Sequence, residues 1–257
     1  MKNIPVELVF DDKRLNREGD RLVRKTAREA AKEFIRAHFP TCELAILAGS
    51  VARAEETTSS DIDLILFLAE TNGYRESFFA YGWPFEVFVH SQETYLNELN
   101  RETQVGRSLL GNMLSEGIAL IDDGSFNRIK QEAINHLKAG PAPLTREYIE
   151  ASRYVMGNYI DDLIDVTSEA EALMIVNTLS IEVPQFILRY HNQWQAKGKS
   201  LSRALYAYDY DCAERFFYSL QAFYKKGQKD PIIAFIQEIY EPIGGFLFAG
   251  FRREHGK

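Results

Sequence analysis

The sequence predicts an α+β fold: an N-terminal domain over residues 1–140, built on a small mixed β-sheet with flanking helices, then an all-α helical-bundle domain over 141–257. Three observations predict it. Between residues 43 and 90 lie three short runs rich in branched and aromatic residues, each bounded by Gly, Ser or Pro. The stretch "KAGPAPLT" (138–145) puts two prolines and a glycine into eight residues, which suits a linker and neither a helix nor a central strand. Beyond it, apolar residues recur almost wholly at helical spacing.

Taken in order, Val23, Ala27, Ala30, Ala31 and Phe34 predict an amphipathic helix over 17–39, ended near Pro40. Its opposite face carries Arg17, Arg21, Arg24, Arg28 and Lys32, read as a solvated face and given no role. The strand runs are "ELAILA" (43–48), "DIDLILFL" (61–68) and "PFEVFVH" (84–90), with "VARA" after the first as the start of a short helix. Helical patterning over 92–115, a strand "GIALID" (117–122) and a helix over 125–138 complete the first domain. In the second, Thr145 is the N-cap of a helix reaching 166, and Ser168 with Glu171 forms a capping box for the next. Further helices are expected over 201–226 and 230–240.

Composition narrows the function classes. The chain has 257 residues, 46% hydrophobic and 26% charged, enough for a real core. Its formal net charge is -7, and both halves are slightly acidic, so neither carries the basic footprint of a nucleic-acid binder. Cys42 and Cys212 offer neither a CxxC pair nor a disulfide framework, which favours a reducing, cytoplasmic setting. The N-terminus lacks the apolar run of a signal peptide, and no uninterrupted apolar run approaches the ~20 residues of a membrane span, so a soluble protein is expected. His38, His90, His136, His191 and His255 are scattered without metal-ligand spacing, and no Gly-x-Ser-x-Gly elbow occurs.

The chemistry is concentrated in "LAGSVARAEETTSSDIDLILFL" (47–68). Side chains alternate along a strand, so Asp61 and Asp63 share one face while Ile62 and Leu64 take the other. Paired carboxylates form a hard-oxygen site suited to Mg²⁺, which takes one or two protein carboxylates and fills its shell with water and phosphate oxygens. Without a cation the like charges repel and raise one pKa. Upstream, Gly49 lets backbone approach a phosphate, Ser50 adds a hydroxyl and Arg53 a cation.

The residues Ala48, Gly49, Ser50, a ten-residue spacer, then Asp61, Ile62, Asp63 and Leu64 resemble the signature of the DNA polymerase beta-like nucleotidyltransferases. The resemblance implies a third carboxylate on a neighbouring strand, for which "WPFEVFV" supplies Glu86, and two Mg²⁺ ions that clamp ATP or another NTP and activate an acceptor hydroxyl. Within the superfamily, small size and a helical second domain look most like kanamycin nucleotidyltransferase-type enzymes. That likeness implies a small-molecule acceptor such as an aminoglycoside, a homodimer, and a general base on the first helix after the linker. "NYIDDLID" falls there, with Asp161 the best positional match and Asp162 its neighbour. Lys199 in "WQAKGKSLSRAL" resembles a triphosphate-facing lysine of such helical domains, or belongs to a helix-connecting loop; the segment is no P-loop, because Gln193 stands where the earlier glycine is needed.

"LYAYDYDCAERFF" (205–217) interleaves Tyr206, Tyr208 and Tyr210 with Asp209 and Asp211, either to hold a cationic ligand or, more simply, to pack and cap helices. Two other readings stand beside small-molecule transfer. The same site can modify a protein side chain or an RNA end, and a chain of this fold can serve without catalysis as a nucleotide sensor or antitoxin-like binding partner.

Overall fold

The computed structural model describes residues 25–253, so Arg17, Arg21, Val23, Arg24 and His255 lie outside the described residues. Contacts divide the chain into two units, the first running to Glu102 and resuming over Ser108–Ala139, the second comprising Thr103–Arg107 and Gly140 onward.

The first unit begins with α1 (Ala27–His38), whose start is fixed by a reciprocal cap: the Thr26 hydroxyl accepts from the Glu29 N–H, and the Glu29 carboxylate accepts from the Thr26 N–H. There follow β1 (Leu44–Ala48), the single turn α2 (Gly49–Ala52), β2 (Ile62–Phe67), β3 (Tyr74–Ala80) and β4 (Trp83–His90). Then come α3 (Gln92–Val105), α4 (Leu110–Glu116), β5 (Ile118–Ile121) and α5 (Phe126–Ala139). The sheet order is β3-β4-β2-β1-β5, with β2 parallel to β4 and every other neighbouring pair antiparallel.

Both faces of the sheet are buried. Ile62, Leu64 and Leu66 join Ala45, Leu47, Phe85 and Val87 against Ala30, Ala31, Phe34 and Ile35 of α1. Ile65, Phe67, Ile46 and Phe88 pack with Tyr95 and Leu99 of α3, Leu110 and Leu114 of α4, and Ile129 of α5. Burying a side chain such as Phe34 contributes about 2 kcal/mol, so this two-sided burial fixes strand register.

Two features depart from the sequence reading. The strand β3 is an addition to the three expected between residues 43 and 90; it pairs with β4 through the two-residue turn Tyr81–Gly82, both at positive φ (52° and 76°), the geometry of a tight hairpin. The helical patterning over 92–115 resolves into two helices, because α4 has its own N-terminal cap. The Glu102 carboxylate, 1% exposed, accepts from the N–H groups of Leu109 (2.6 Å), Leu110 (2.5 Å) and Gly111 (3.2 Å) and from the Ser108 hydroxyl (2.8 Å). The His136 Nε2 lies 3.5 Å away.

The second unit contains α6 (Arg146–Asp165), α7 (Glu169–Tyr190), α8 (Lys199–Tyr208), α9 (Tyr210–Lys226) and α10 (Asp230–Tyr240), followed by a 3-10 turn over Glu241–Ile243. Thr145 caps α6 through the Tyr148 N–H, and Ser168 caps α7 through the Glu171 N–H. The helix expected over 201–226 is interrupted at Asp209, whose side chain accepts from the Cys212 N–H at 2.9 Å and so starts α9 afresh. Met156, Ile160, Val176, Val183, Phe216, Ile236 and Tyr240 lie at its core.

By length and composition alone α7 is long and apolar enough to cross a membrane, although Glu169, Glu171, Glu182 and Arg189 interrupt its apolar run. Here it is a core helix, burying Val176, Leu179, Val183 and Phe186. Thr103–Arg107 is stitched into this unit: the Thr103 carbonyl accepts from the Ala142 N–H at 2.9 Å and the Gly106 carbonyl from the Gln195 N–H at 2.9 Å. Gln195 Nε2 also donates to the Val105 carbonyl at 2.9 Å. Arg189, 6% exposed, donates to the Ala142 carbonyl at 2.8 Å.

Candidate metal centre

The register of the sheet assembles the centre. Ala48, Asp63, Glu86 and Ser77 form one rung across β1, β2, β4 and β3. Asp63 and Glu86 therefore project from neighbouring parallel strands on the same face, and Asp61, just before β2, joins them. One ligand oxygen from each of Asp61, Asp63 and Glu86 lies within 4.8 Å of the other two. Asp61 is exposed, whereas Asp63 and Glu86 are half-buried.

Electrostatics set Asp63 apart. Burial first, and then the charges of Asp61 and Glu86, push its carboxyl up to about 7, against a smaller opposing pull from Arg75 and Arg53. Three oxygen-donor carboxylates gathered at an edge of the core, one reluctant to ionise without a counter-charge, are a donor set that fits Mg²⁺ or Mn²⁺. Part of that counter-charge comes from a residue the sequence reading missed. Arg75 on β3 is ion-paired with Glu86, its Nε donating at 2.9 Å, and lies over the Phe88 ring at 4.9 Å. The Ser77 hydroxyl also reaches Glu86, at 3.4 Å. The signal that could have found both is the Tyr81–Gly82 turn between two aromatic-rich runs, which reads as a hairpin.

The loop after β1 adjoins the same carboxylate. Gly49 has φ +66°, and a Cβ there would overlap the Asp63 carboxylate and lie 2.9 Å from its Cγ. Replacing Gly49 by Ala is expected to push the Asp63 side chain away, lower stability by about 1–2 kcal/mol from backbone strain alone, and abolish stabilisation by added Mg²⁺ or Mn²⁺. Thermal melts with and without the cation check this; an unchanged metal-induced rise in Tm would refute the coupling between Gly49 and Asp63.

Ser50 donates to the Ser60 hydroxyl at 3.2 Å, and Ser60 accepts from the Thr57 N–H at 2.8 Å, which closes the loop leading to Asp61. Arg53 pairs with Glu55 at 3.0 Å and Glu116 at 2.8 Å, two carboxylates that sequence spacing did not connect with it. Asp161 and Asp162 are exposed on α6, and Lys199 is the exposed first residue of α8; all three belong to the helical unit. In that unit Tyr206 hydrogen-bonds Glu214 at 2.7 Å and stacks on Phe217, Tyr208 stacks on His191, and Asp209 is a cap, which is the packing role of that aromatic stretch. Cys42 and Cys212 are free thiols.

No family model matches this chain, and no curated protein does. Among solved structures, a nucleotidyltransferase-like protein from Exiguobacterium sibiricum is similar over 81% of this chain and 71% of that one, with 10% identity and a TM-score of 0.43. A likeness of that size carries no inference about fold or activity. What the chain itself defines is an α+β unit with an acidic cluster at the sheet, followed by a helical unit.

Proposed function

We propose that this chain is a divalent-metal-dependent nucleotidyltransferase, moving a nucleoside monophosphate, AMP from ATP, onto a hydroxyl of a small molecule with release of pyrophosphate. The observation that carries the reading is the convergence of Asp61, Asp63 and Glu86 beside a glycine whose missing Cβ leaves room for the Asp63 carboxylate. When bound, two Mg²⁺ ions would supply Lewis-acid stabilisation of charge on the phosphoryl oxygens and lower the pKa of the attacking hydroxyl.

The chain's own residues divide the remaining work. Asp61, Asp63 and Glu86 would hold the cations, which would compete with Arg75 for Glu86. Gly49 and Ser50 offer backbone N–H groups and a hydroxyl to the β and γ phosphates, while Arg53 exchanges Glu55 and Glu116 for those anions. In the helical unit, Asp161, with Asp162 as the adjacent alternative, is the proposed general base, and Lys199 the proposed phosphate ligand. A polycationic acceptor of the aminoglycoside type suits the net charge of -7 for encounter.

Incubation with α-labelled ATP, Mg²⁺ and a panel of aminoglycosides, lincosamides and cell extract tests this. Label is expected on a small molecule, with stoichiometric pyrophosphate. Label on a polypeptide or RNA end would move the acceptor to that class. Nucleotide binding with no pyrophosphate from any acceptor would replace the enzyme reading by nucleotide sensing.

A further inference from the structure

The helical unit contains a recess that the proposed reaction does not use. Its volume is about 510 Å³, within the range of small-molecule sites. Ile181 and Pro184 of α7, Leu201 of α8, and Phe216 and Phe217 of α9 give it an apolar lining. These walls are held in place by the fold. Phe216 is fully buried and meets Phe217 edge-on at 5.4 Å, and Phe217 in turn stacks on Tyr206 at 5.4 Å and 12°. Pro184 adds a ring to this wall and has no N–H to offer, so the Ser180 carbonyl one turn earlier lacks that helical donor.

The polar rim is largely spent. The Ser180 hydroxyl donates to the Asn177 carbonyl at 2.7 Å, Gln185 Nε2 to the Ala196 carbonyl at 3.4 Å, and the Ser202 hydroxyl to the Lys199 carbonyl at 2.9 Å. The remaining charged group is Lys197, which makes no ion pair among the described residues, and no Asp or Glu is among the lining residues.

We propose that this recess binds an apolar monoanion, an aromatic ring bearing one carboxylate, with the ring against Ile181, Pro184 and Phe217 and the carboxylate at the Lys197 ammonium. The charge pattern selects the class. A polycationic molecule would meet Lys197 and no acid, and a triphosphate would place several negative charges against one cation in an apolar recess. A neutral ring would gain burial alone. One cation beside aromatic and aliphatic walls matches one anion beside a ring.

The test is titration of the full-length ¹⁵N-labelled protein with 1-naphthoate, and separately with 1-naphthylmethylammonium, followed by amide shifts. Saturable shifts are expected around residues 180–185, 197–202 and 216–217, with weaker binding of the ammonium compound. Lys197→Glu should weaken naphthoate binding about two- to fivefold, the range of an exposed charge pair, and reverse the preference for the anion. Ile181→Glu, at a half-exposed position that leaves the core intact, should abolish saturation. Shifts spread elsewhere, non-saturating binding, or equal affinity for the ammonium compound would overturn the proposal.

Discussion

Replacing Asp63 by Asn is expected to lower nucleotidyl transfer by about 10³-fold or more, because the loss of a metal-holding carboxylate removes several kcal/mol of charge stabilisation. The same change is expected to stabilise the metal-free protein near pH 8. Asp63 titrates at about 7 in the folded chain because it is buried beside Asp61 and Glu86. An unfolded Asp titrates near 4, so the folded state binds the extra proton. The cost is absent below pH ~4, grows as pH rises toward ~7, and is complete above that. With partial solvent screening it amounts to about 1–3 kcal/mol. Wild type minus Asp63→Asn, measured by urea denaturation in EDTA, should therefore become more negative from pH 4.5 to pH 8. Added Mn²⁺ or Mg²⁺ should stabilise wild type and leave the variant unmoved. A flat difference across that range would refute the electrostatic account, and retained transfer would remove Asp63 from the reaction.

Glu102→Ala should produce the largest loss of stability. This carboxylate is 1% exposed and serves three backbone N–H groups and the Ser108 hydroxyl. Burial holds the His136 imidazole below its ordinary range, so near neutrality it adds a hydrogen-bonding neighbour and not a full counter-charge to those four donors. Truncation leaves them unpaired at about 1 kcal/mol each, for a total of about 3–4 kcal/mol. Glu102→Gln should cost nearly as much, since its amide NH₂ would face N–H groups that need an acceptor. Urea midpoints at constant slope measure both. A loss under about 1 kcal/mol for Glu102→Ala would show that water replaces the cap.

The two variants probe what the sequence did and did not disclose. Elements with strong local codes were readable: the capped starts at Thr145 and Ser168, the helix over 230–240, and the apolar run of β2. Asp63 was legible as a site residue because alternation and the Gly49–Ser50 spacing are local patterns. Its rung partner Glu86 was visible only through a resemblance, since parallel pairing of β2 with β4 is a non-local fact. Arg75 and Ser77 were missed because the stretch before β4 was given no element: both are exposed, in the polar opening half of an edge strand. Glu102 gave no signal either, because a carboxylate on α3 reads as solvated until the chain folds back and brings residues 108–111 over it.

The short stitch at Thr103–Arg107 bears on how this molecule can be dissected. A cut after Ala139 matches the linker but not the connectivity, since the stretch left on the N-terminal fragment would lose Ala142 and Gln195 as hydrogen-bond donors. Three main-chain carbonyls, of Thr103, Val105 and Gly106, would be stripped at once, in the segment joining α3 to the capped turn of α4. Separately expressed halves are thus mismatched pieces. Co-expressed, they should behave as a split protein whose reassembly is templated by those five residues.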